Sequence, residues 1–277
     1  MLLGIDVGGT HTDAVLLDRS RLVASAKVDT HHEDLLQSVR HALGRIRELA
    51  GEVELERFNL STTLCTNAIV QDELEQVGVM VSAGPGIDPE RFGIGQHYQV
   101  IPGGLDHRGK EIQKLDLEQA KECAARFFRE GLKVFSVVGK FSPRNPEHEE
   151  QMARALGEGA DFFTAGHWIS GQLNFPRRIA TAYYNSAVWP LFNDFATSVE
   201  NSLRELGMNP EMHILKADGG TMPFSQARRK PVESIFSGPA ASIMGLKALC
   251  DIQDDALMLD IGGTTTDVGV FADGIPL

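Results

Sequence analysis

One short sequence pattern occurs twice in this chain of 277 residues, near its start and near its end. The first copy runs from Asp6 to Asp13, and the second runs from Asp260 to Asp267, 254 positions later. Six of the eight positions are identical, including two adjacent glycines, two threonines and both aspartates. A repeated unit constrains architecture more strongly than local propensity does, so we expect the two copies to fold alike.

Each copy is expected to form a β-hairpin. A short apolar run, residues 2–7 or 256–261, leads into the Gly-Gly turn, and a second strand-like run, residues 13–17 or 267–271, follows it. Adjacent glycines allow positive φ values and let backbone N–H groups approach an anion closely. The repeat therefore predicts a polyphosphate site in which the two hairpins contact the phosphates from opposite sides.

The rest of the sequence alternates strand-like and helix-like segments, which is typical of a layered α/β fold. After the first hairpin we predict strands over 21–28, 58–60, 77–82, 133–138 and 211–216. Helices are predicted over 31–49, 63–74, 117–130, 147–156, 175–206 with a break near Trp189-Pro190, and 238–250. Residues 83–110 hold seven glycines and three prolines and are predicted to form an irregular loop.

Composition excludes several functional classes. Lys and Arg total 26 against 38 Asp and Glu, and a net charge of -12 argues against nucleic acid and anionic membranes as partners. Arg177-Arg178 and Arg228-Arg229-Lys230 are interpreted as solvated charge. Three cysteines without a C-x-x-C pair, no secretory signal and no apolar run of about 18 residues favour a cytoplasmic protein.

The paired motifs, with Asp218-Gly219-Gly220 and Ser237-Gly238-Pro239-Ala240, resemble the hydantoinase A and oxoprolinase family of the actin, hexokinase and heat-shock ATPase superfamily. The resemblance implies an α/β, ribonuclease-H-like actin-type ATPase fold, with the first lobe and the opening hairpin of an incomplete second lobe. It implies three parts: an N-terminal α/β domain over 1–175, a connecting region of helices and strands over 176–255, and the start of the second lobe over 256–277.

The resemblance also implies an activity. It implies an ATP-dependent hydrolase of cyclic amides such as hydantoin or 5-oxoproline, which activates the substrate carbonyl by phosphorylation. A subunit of an ATP-dependent ketone carboxylase, a nucleotide-gated actin-like binding module and a small-molecule kinase remain alternatives. The implied cofactors are ATP and Mg²⁺, and the implied partners are a small cyclic amide or carbonyl substrate and a second subunit of the hydantoinase B type, in an oligomer.

The implied site is assigned residue by residue. The catalytic residues are Asp6, Asp13, Asp260 and Asp267, of which Asp6 and Asp260 would also bind Mg²⁺. The nucleotide-binding residues are Gly8, Gly9, Thr10, His11, Thr12, Gly262, Gly263, Thr264, Thr265 and Thr266. The substrate-binding residues are Thr63, Thr66, Asn67, Asp218 and Gly219. The family commonly has phenylalanine at the position of His11.

Several of these segments also have a purely structural interpretation. Thr62 or Thr63 is suited to cap the helix that follows it, and Asp218-Gly219 is suited to a plain turn. Ser237-Gly238-Pro239 is either a simple helix start or an anion site. Cys65 is either a thiolate stabilised by a helix dipole or, more simply, a small buried apolar residue.

We predict that the 277-residue chain alone binds ATP weakly and turns it over poorly. Only ten residues follow Asp267, too few to complete a second lobe, and the implied adenine pocket would lie beyond Leu277. Isothermal titration of the chain with ATP measures the affinity, and tight binding would contradict the prediction.

Overall fold

The computed structural model describes residues 1–31, 33–262 and 266–277, in which strands and helices alternate. The strands are β1 (Leu2–Val7), β2 (His11–Asp18), β3 (Arg21–Asp29), β4 (Arg57–Thr62), β5 (Val77–Ser82), β6 (His97–Val100), β7 (Gly104–Leu105), β8 (Glu111–Gln113), β9 (Val134–Gly139), β10 (Phe162–Ala165), β11 (Glu211–Leu215), β12 (Thr221–Pro223), β13 (Ala256–Ile261), β14 (Thr266–Ala272) and β15 (Ile275–Pro276). The α-helices are α1 (Leu35–Ala50), α2 (Leu64–Val70), α3 (Leu117–Arg129), α4 (Glu147–Leu156), α5 (Gly166–Ile169), α6 (Phe175–Ala187), α7 (Trp189–Glu205), α8 (Phe224–Ala227) and α9 (Ser237–Leu249). Within these described ranges, no helix has the length and apolar character needed to cross a membrane.

The chain forms two compact units. Unit 1 comprises Met1–Gln71 and Leu191–Leu277, and unit 2 comprises Asp72–Pro190. The chain leaves unit 1 after α2 and returns to it within α7, so unit 2 is an insertion. The domain boundaries expected after residues 175 and 255 therefore differ from the division that the contacts define.

Unit 1 is built on a six-stranded sheet with the order β12-β11-β4-β1-β2-β3. Strands β4 and β11 run in the same direction as β1, whereas β2 is antiparallel to both of its neighbours, β1 and β3. Helix α1 packs on this sheet and buries Val39, Leu43 and Ile46. The order β-β-β-α-β-α along the chain is that of the ribonuclease-H-like lobe, so the expected fold is confirmed.

The second copy of the repeat folds in the register of the first. Asp6 pairs with Asp13 across β1 and β2, and Asp260 pairs with Asp267 across β13 and β14. Strand β15 joins β14 at the position where β3 joins β2 in the first copy. The chain thus contains the opening hairpin of a second lobe, with β15 at the position of its third strand.

One face of the second hairpin is exposed where its counterpart is buried. Leu257 is 72% exposed, whereas Leu3, the corresponding residue of the first copy, is 1% exposed. The same contrast distinguishes Leu259, Ile261 and Val270 from Ile5, Val7 and Leu16. Helix α1 covers this face in the first copy, whereas α9 packs on the opposite face of the second hairpin, against Met258 and Gly269.

Unit 2 is a layered α/β structure around a parallel sheet with the order β10-β9-β5-β6. The central strands β5 and β9 are buried along their whole length. On one side of the sheet Val79 packs in a cluster with Ile179 of α6, and on the other Met80 packs with Phe127 of α3. Because successive side chains of a strand point to opposite faces, the two faces of this sheet pack against two separate hydrophobic cores.

Two expectations about unit 2 are wrong. Residues 83–110 contain the strand β6, which is half-buried and lies at a sheet edge, so its sequence lacks a run of apolar residues. Arg178 is buried rather than solvated and donates hydrogen bonds to the carbonyl oxygens of Gly139 and Lys140. Its guanidinium lies 3.7 Å from the buried carboxylate of Glu149, which makes burial of the charge tolerable.

The leucines at equivalent positions of the repeat provide a matched test of burial. We expect Leu3→Ala to lower the free energy of unfolding by roughly 2–5 kcal/mol, because it leaves a cavity in the core. Leu257→Ala should lower it by less than roughly 1 kcal/mol, because that side chain already contacts water. Denaturant unfolding of the full chain measures both values, and equal losses would contradict the difference in burial.

Candidate functional site

Both hairpins open into one cavity of about 640 Å³ in unit 1. This volume lies in the range of sites for small organic ligands. The lining residues from the first hairpin and β3 are Asp6, Gly8, Gly9, Thr10, His11, Asp13 and Lys27. Those from the rest of unit 1 are Thr63, Gly238, Pro239, Ser242, Asp260, Ile261, Gly262 and Asp267. The two copies of the repeat therefore converge on the same space.

The cavity concentrates carboxylates. Burial raises the pKa of Asp6, the charges of Asp13 and Asp260 raise it further, and a hydrogen bond with the Ser61 hydroxyl opposes the shift. Burial likewise raises the pKa of Asp267, with a smaller contribution from Asp260. The charge of Asp260 thus acts on carboxylates of both hairpins, which places the two pairs within electrostatic reach of each other. Such an arrangement favours a bound cation.

Two polar residues that contact these carboxylates were missed by the sequence analysis. The Ser242 hydroxyl donates to Asp260 over 2.5 Å from α9. The Lys27 ammonium lies 3.1 Å and 3.0 Å from the two carboxylate oxygens of Asp13. Both follow from regular spacing: Ser242 lies one helical turn beyond Gly238, and Lys27 lies opposite Asp13 in the register of β2 and β3.

The start of α9 also faces the cavity through Gly238 and Pro239. The N-cap residue, Phe236, makes no side-chain cap hydrogen bond here. Backbone N–H groups at a helix N-terminus favour anions, so this end suits a phosphate group. The anion-site interpretation of the Ser-Gly-Pro segment is therefore compatible with its position.

The threonine motif, Thr62-Thr63-Leu64-Cys65-Thr66-Asn67-Ala68, holds the start of α9 in place. Phe236, just before the helix, has a φ of 60°, a left-handed value that bulky residues rarely adopt. Its N–H donates to the Thr66 hydroxyl over 3.1 Å, and the Ser237 hydroxyl donates to the Thr62 carbonyl over 3.3 Å. Two motifs that are 170 residues apart in sequence thus form one junction beside the cavity.

The first glycine of the repeat, Gly8, suits the turn because it has no side chain, rather than because it allows a positive φ. Gly8 does not have the left-handed backbone that the sequence analysis allowed for. Its N–H donates to the carbonyl of His11 over 3.1 Å, and a Cβ atom at Gly8 would lie 3.1 Å from that oxygen. A side chain here would therefore crowd the turn.

Not every predicted nucleotide-binding residue reaches the cavity. Thr12 is fully buried, and its hydroxyl lies 2.9 Å from that of Thr30, on the opposite side of β2 from His11 and Asp13. Thr266 is exposed at the start of β14 but does not line the cavity. Gly263, Thr264 and Thr265 lie outside the described residues.

The predicted substrate-binding residues are divided between the cavity and its surroundings. Thr63 lines the cavity and accepts a hydrogen bond from the Asn67 amide over 3.3 Å. Asp218 and Gly219 form the turn between β11 and β12 and do not line the cavity. The Lys216 ammonium, 2.7 Å away, and the Gly220 N–H hold the pKa of Asp218 below its usual range. Their roles in substrate binding stay predictions.

The structural interpretations of two residues in the threonine motif are supported. The Thr62 hydroxyl accepts a hydrogen bond from the N–H of Leu64 at the start of α2, whereas Thr63 caps no backbone group there. Cys65 is 1% exposed, and burial raises its pKa to about 12. Its thiol is therefore protonated at neutral pH and packs as a small apolar group.

The carboxylates suit Mg²⁺ bound together with a phosphate ligand. Within the part of the chain that the structure describes, no group of three or more His, Cys, Asp or Glu side chains is arranged to hold a metal ion alone. Asp6 and Asp260 both line the cavity, and Mg²⁺ commonly uses one or two carboxylates, with waters and substrate phosphates as its other ligands.

Comparison with known proteins assigns the chain to a family. The model of the hydantoinase/oxoprolinase N-terminal region matches residues 2–159, and the hydantoinase/oxoprolinase model matches residues 178–277. The chain belongs to the hydantoinase/oxoprolinase family, which confirms the resemblance seen in the motifs.

Three curated relatives are similar in sequence. The caprolactamase alpha subunit of Pseudomonas jessenii is 27% identical over 96% of this chain and 42% of its own length. The acetone carboxylase beta subunit of Xanthobacter autotrophicus is 22% identical over 99% and 43%, respectively. The 5-oxoprolinase of Saccharomyces cerevisiae is 22% identical over 63% of this chain and 14% of its own length. This chain therefore spans less than half the length of these relatives.

Two solved structures share the fold. ATP-dependent caprolactamase from Pseudomonas jessenii superposes with a TM-score of 0.81 at 25% identity, covering 98% of this chain and 43% of that chain. Nucleotide-free acetone carboxylase superposes with a TM-score of 0.83 at 18% identity, covering 99% and 44%. Both units of this chain thus have counterparts in larger proteins.

The raised pKa of Asp6 predicts a pH-dependent stability. The folded state keeps the Asp6 proton to higher pH than the unfolded state does, so the free energy of unfolding falls as pH rises above the ordinary value of 3.8. Asp6→Asn removes the free-energy cost of ionising this buried carboxyl group. We therefore expect it to raise the unfolding midpoint at pH 7 by more than at pH 4.

Thermal unfolding of the full chain between pH 4 and pH 8 measures the effect. Asp18→Asn is the matched control, because Asp18 is exposed at the far end of β2. An Asp6→Asn chain that is less stable than the unaltered chain at pH 7, or a difference that is independent of pH, would contradict the prediction.

Proposed function

We propose that this chain carries the nucleotide-binding part of an ATP-dependent enzyme that phosphorylates the carbonyl oxygen of a cyclic amide and so opens the ring. The observation that carries the proposal is the convergence of two copies of one glycine-bearing hairpin on a single cavity. The start of α9, where the N-cap residue Phe236 makes no side-chain cap hydrogen bond, lines the same cavity. These are backbone features that suit a chain of phosphates.

In this proposal the phosphates of ATP lie between the hairpins. The turn at Gly8, Gly9 and Thr10 and the first turn of α9 would supply N–H donors, and Thr10 and His11 would add side-chain donors. Asp6 and Asp260 would hold Mg²⁺, which neutralises phosphate charge during phosphoryl transfer. The raised pKa of Asp6 in the chain without ligand is consistent with a carboxylate whose charge is stabilised when a cation binds.

The enzyme would then promote the reaction mainly by holding the reacting groups in line. The substrate carbonyl oxygen bonds to the γ-phosphorus in line with the bond to ADP, which breaks. One water attacks the activated carbon, the C–N bond breaks, and the ring nitrogen takes a proton. A second water releases phosphate from the acyl group. Asp13 and Asp267 would orient the attacking groups.

The cyclic-amide substrate class is supported by the names of two relatives, caprolactamase and 5-oxoprolinase. A ketone carboxylase subunit is the second candidate, because the acetone carboxylase beta subunit matches 99% of this chain. The caprolactamase and acetone carboxylase relatives are both named as subunits. We therefore propose that this chain works with a second subunit, of the hydantoinase B type.

Substrate-stimulated ADP release by the complete enzyme that contains this chain tests the proposal. We expect hydantoin, 5-oxoproline or another lactam to stimulate release, and Asp6→Asn and Asp260→Asn each to lower the rate by at least roughly 100-fold, because each removes charge that the transition state requires.

The control variant Asp18→Asn should retain the unaltered rate. Stimulation by a ketone with bicarbonate, and not by lactams, would assign the carboxylase reaction. A rate that no substrate changes would contradict the enzyme proposal and favour a nucleotide-gated binding module.

A further inference from the structure

The cavity carries much more negative than positive charge. Among the described residues that line it, four are aspartates and Lys27 is the only lysine or arginine. A nucleoside triphosphate would add further negative charge, and like charges repel strongly where water is partly excluded. A fixed positive charge at this position therefore has a large influence on the affinity for any polyphosphate.

The register of the sheet positions Lys27. It lies on β3 directly opposite Asp13 on β2, and its ammonium contacts both carboxylate oxygens at 3.1 Å and 3.0 Å. The Lys27 and Asp13 side chains are 60% and 46% exposed. Because an exposed ion pair contributes little to stability, the ammonium can leave Asp13 for a stronger anion at small cost.

We propose that Lys27 is a phosphate-binding residue: it pairs with Asp13 in the nucleotide-free chain and donates to phosphate oxygens when ATP binds. This inference rests on the proposed function and adds a residue to that site. An ammonium is a compact charge with three donors, which suits phosphate. The exchange of partners also frees the Asp13 carboxylate, beside the phosphates, to accept a hydrogen bond from the attacking group.

A purely structural role for Lys27 makes a different prediction. If Lys27 served only to neutralise Asp13, then loss of either partner would disturb the cavity in the same way. If Lys27 binds phosphate, Asp13→Asn releases the ammonium from its competitor and removes a repulsive charge, so ATP binding is retained or strengthened. The two single variants therefore separate the roles.

The experiment compares the affinity of the full chain and its variants for ATP and for inorganic tripolyphosphate, each with Mg²⁺, by ligand-observed NMR titration. Lys27→Gln should weaken both ligands roughly 10- to 100-fold, because a hydrogen bond to a charged group is lost. Lys27→Arg should recover part of this loss. Lys121→Gln is the matched control: Lys121 is also 60% exposed and pairs with Glu118 over 2.8 Å on α3 of unit 2.

Unchanged unfolding midpoints establish that the variants are folded. Equal ATP affinity in Lys27→Gln and Lys121→Gln would overturn the inference while leaving the proposed function intact. A loss in Asp13→Asn as large as that in Lys27→Gln would assign Lys27 a structural role instead. Failure of the unaltered chain to bind either ligand would overturn the proposed function and this inference together.

Discussion

The central constraint on this molecule is electrostatic. Two pairs of aspartates, one on each hairpin, are brought to one cavity, where burial and mutual repulsion raise the pKa values of Asp6 and Asp267. A chain selected only for stability would not place carboxylates in this way, because the raised pKa values of Asp6 and Asp267 mean that ionising these two groups costs free energy of folding at neutral pH. In the function we propose, cations held by a polyphosphate ligand would occupy the space between them and make the arrangement favourable.

The rest of unit 1 holds the hairpins in place. The first hairpin belongs to the six-stranded sheet, whose β4 leads into the threonine motif. That motif contacts the start of α9 through Thr66 and Phe236, and α9 packs against the second hairpin. Helix α9 is therefore the connection between the two halves of the cavity, and Ser242 links it directly to Asp260.

Much of this could be predicted from the sequence, because the repeat carries identical residues at identical spacing. The shared register of Asp6 with Asp13 and of Asp260 with Asp267 follows from that identity. The inserted unit could not be predicted in the same way. It depends on the pairing of β4 with β11, about 150 residues apart, and no local pattern encodes a contact of that range.

The places where the structure differs from the expectations have physical causes. Thr12 is repeated and polar, which indicated a ligand contact, yet it lies within β2, and the alternation of a strand turns it into the core, between His11 and Asp13. Lys27 was missed because the motif ends at Asp13 and the lysine belongs to the next strand. Arg178 appeared solvated because its partner, Glu149, is distant in sequence.

A crystal structure of the chain with Mg²⁺ and a non-hydrolysable ATP analogue would locate the phosphates directly. We expect the β- and γ-phosphates between the Gly8–Thr10 turn and the second hairpin, with Mg²⁺ beside Asp6 and Asp260. A nucleotide bound elsewhere, or held by one hairpin alone, would contradict it.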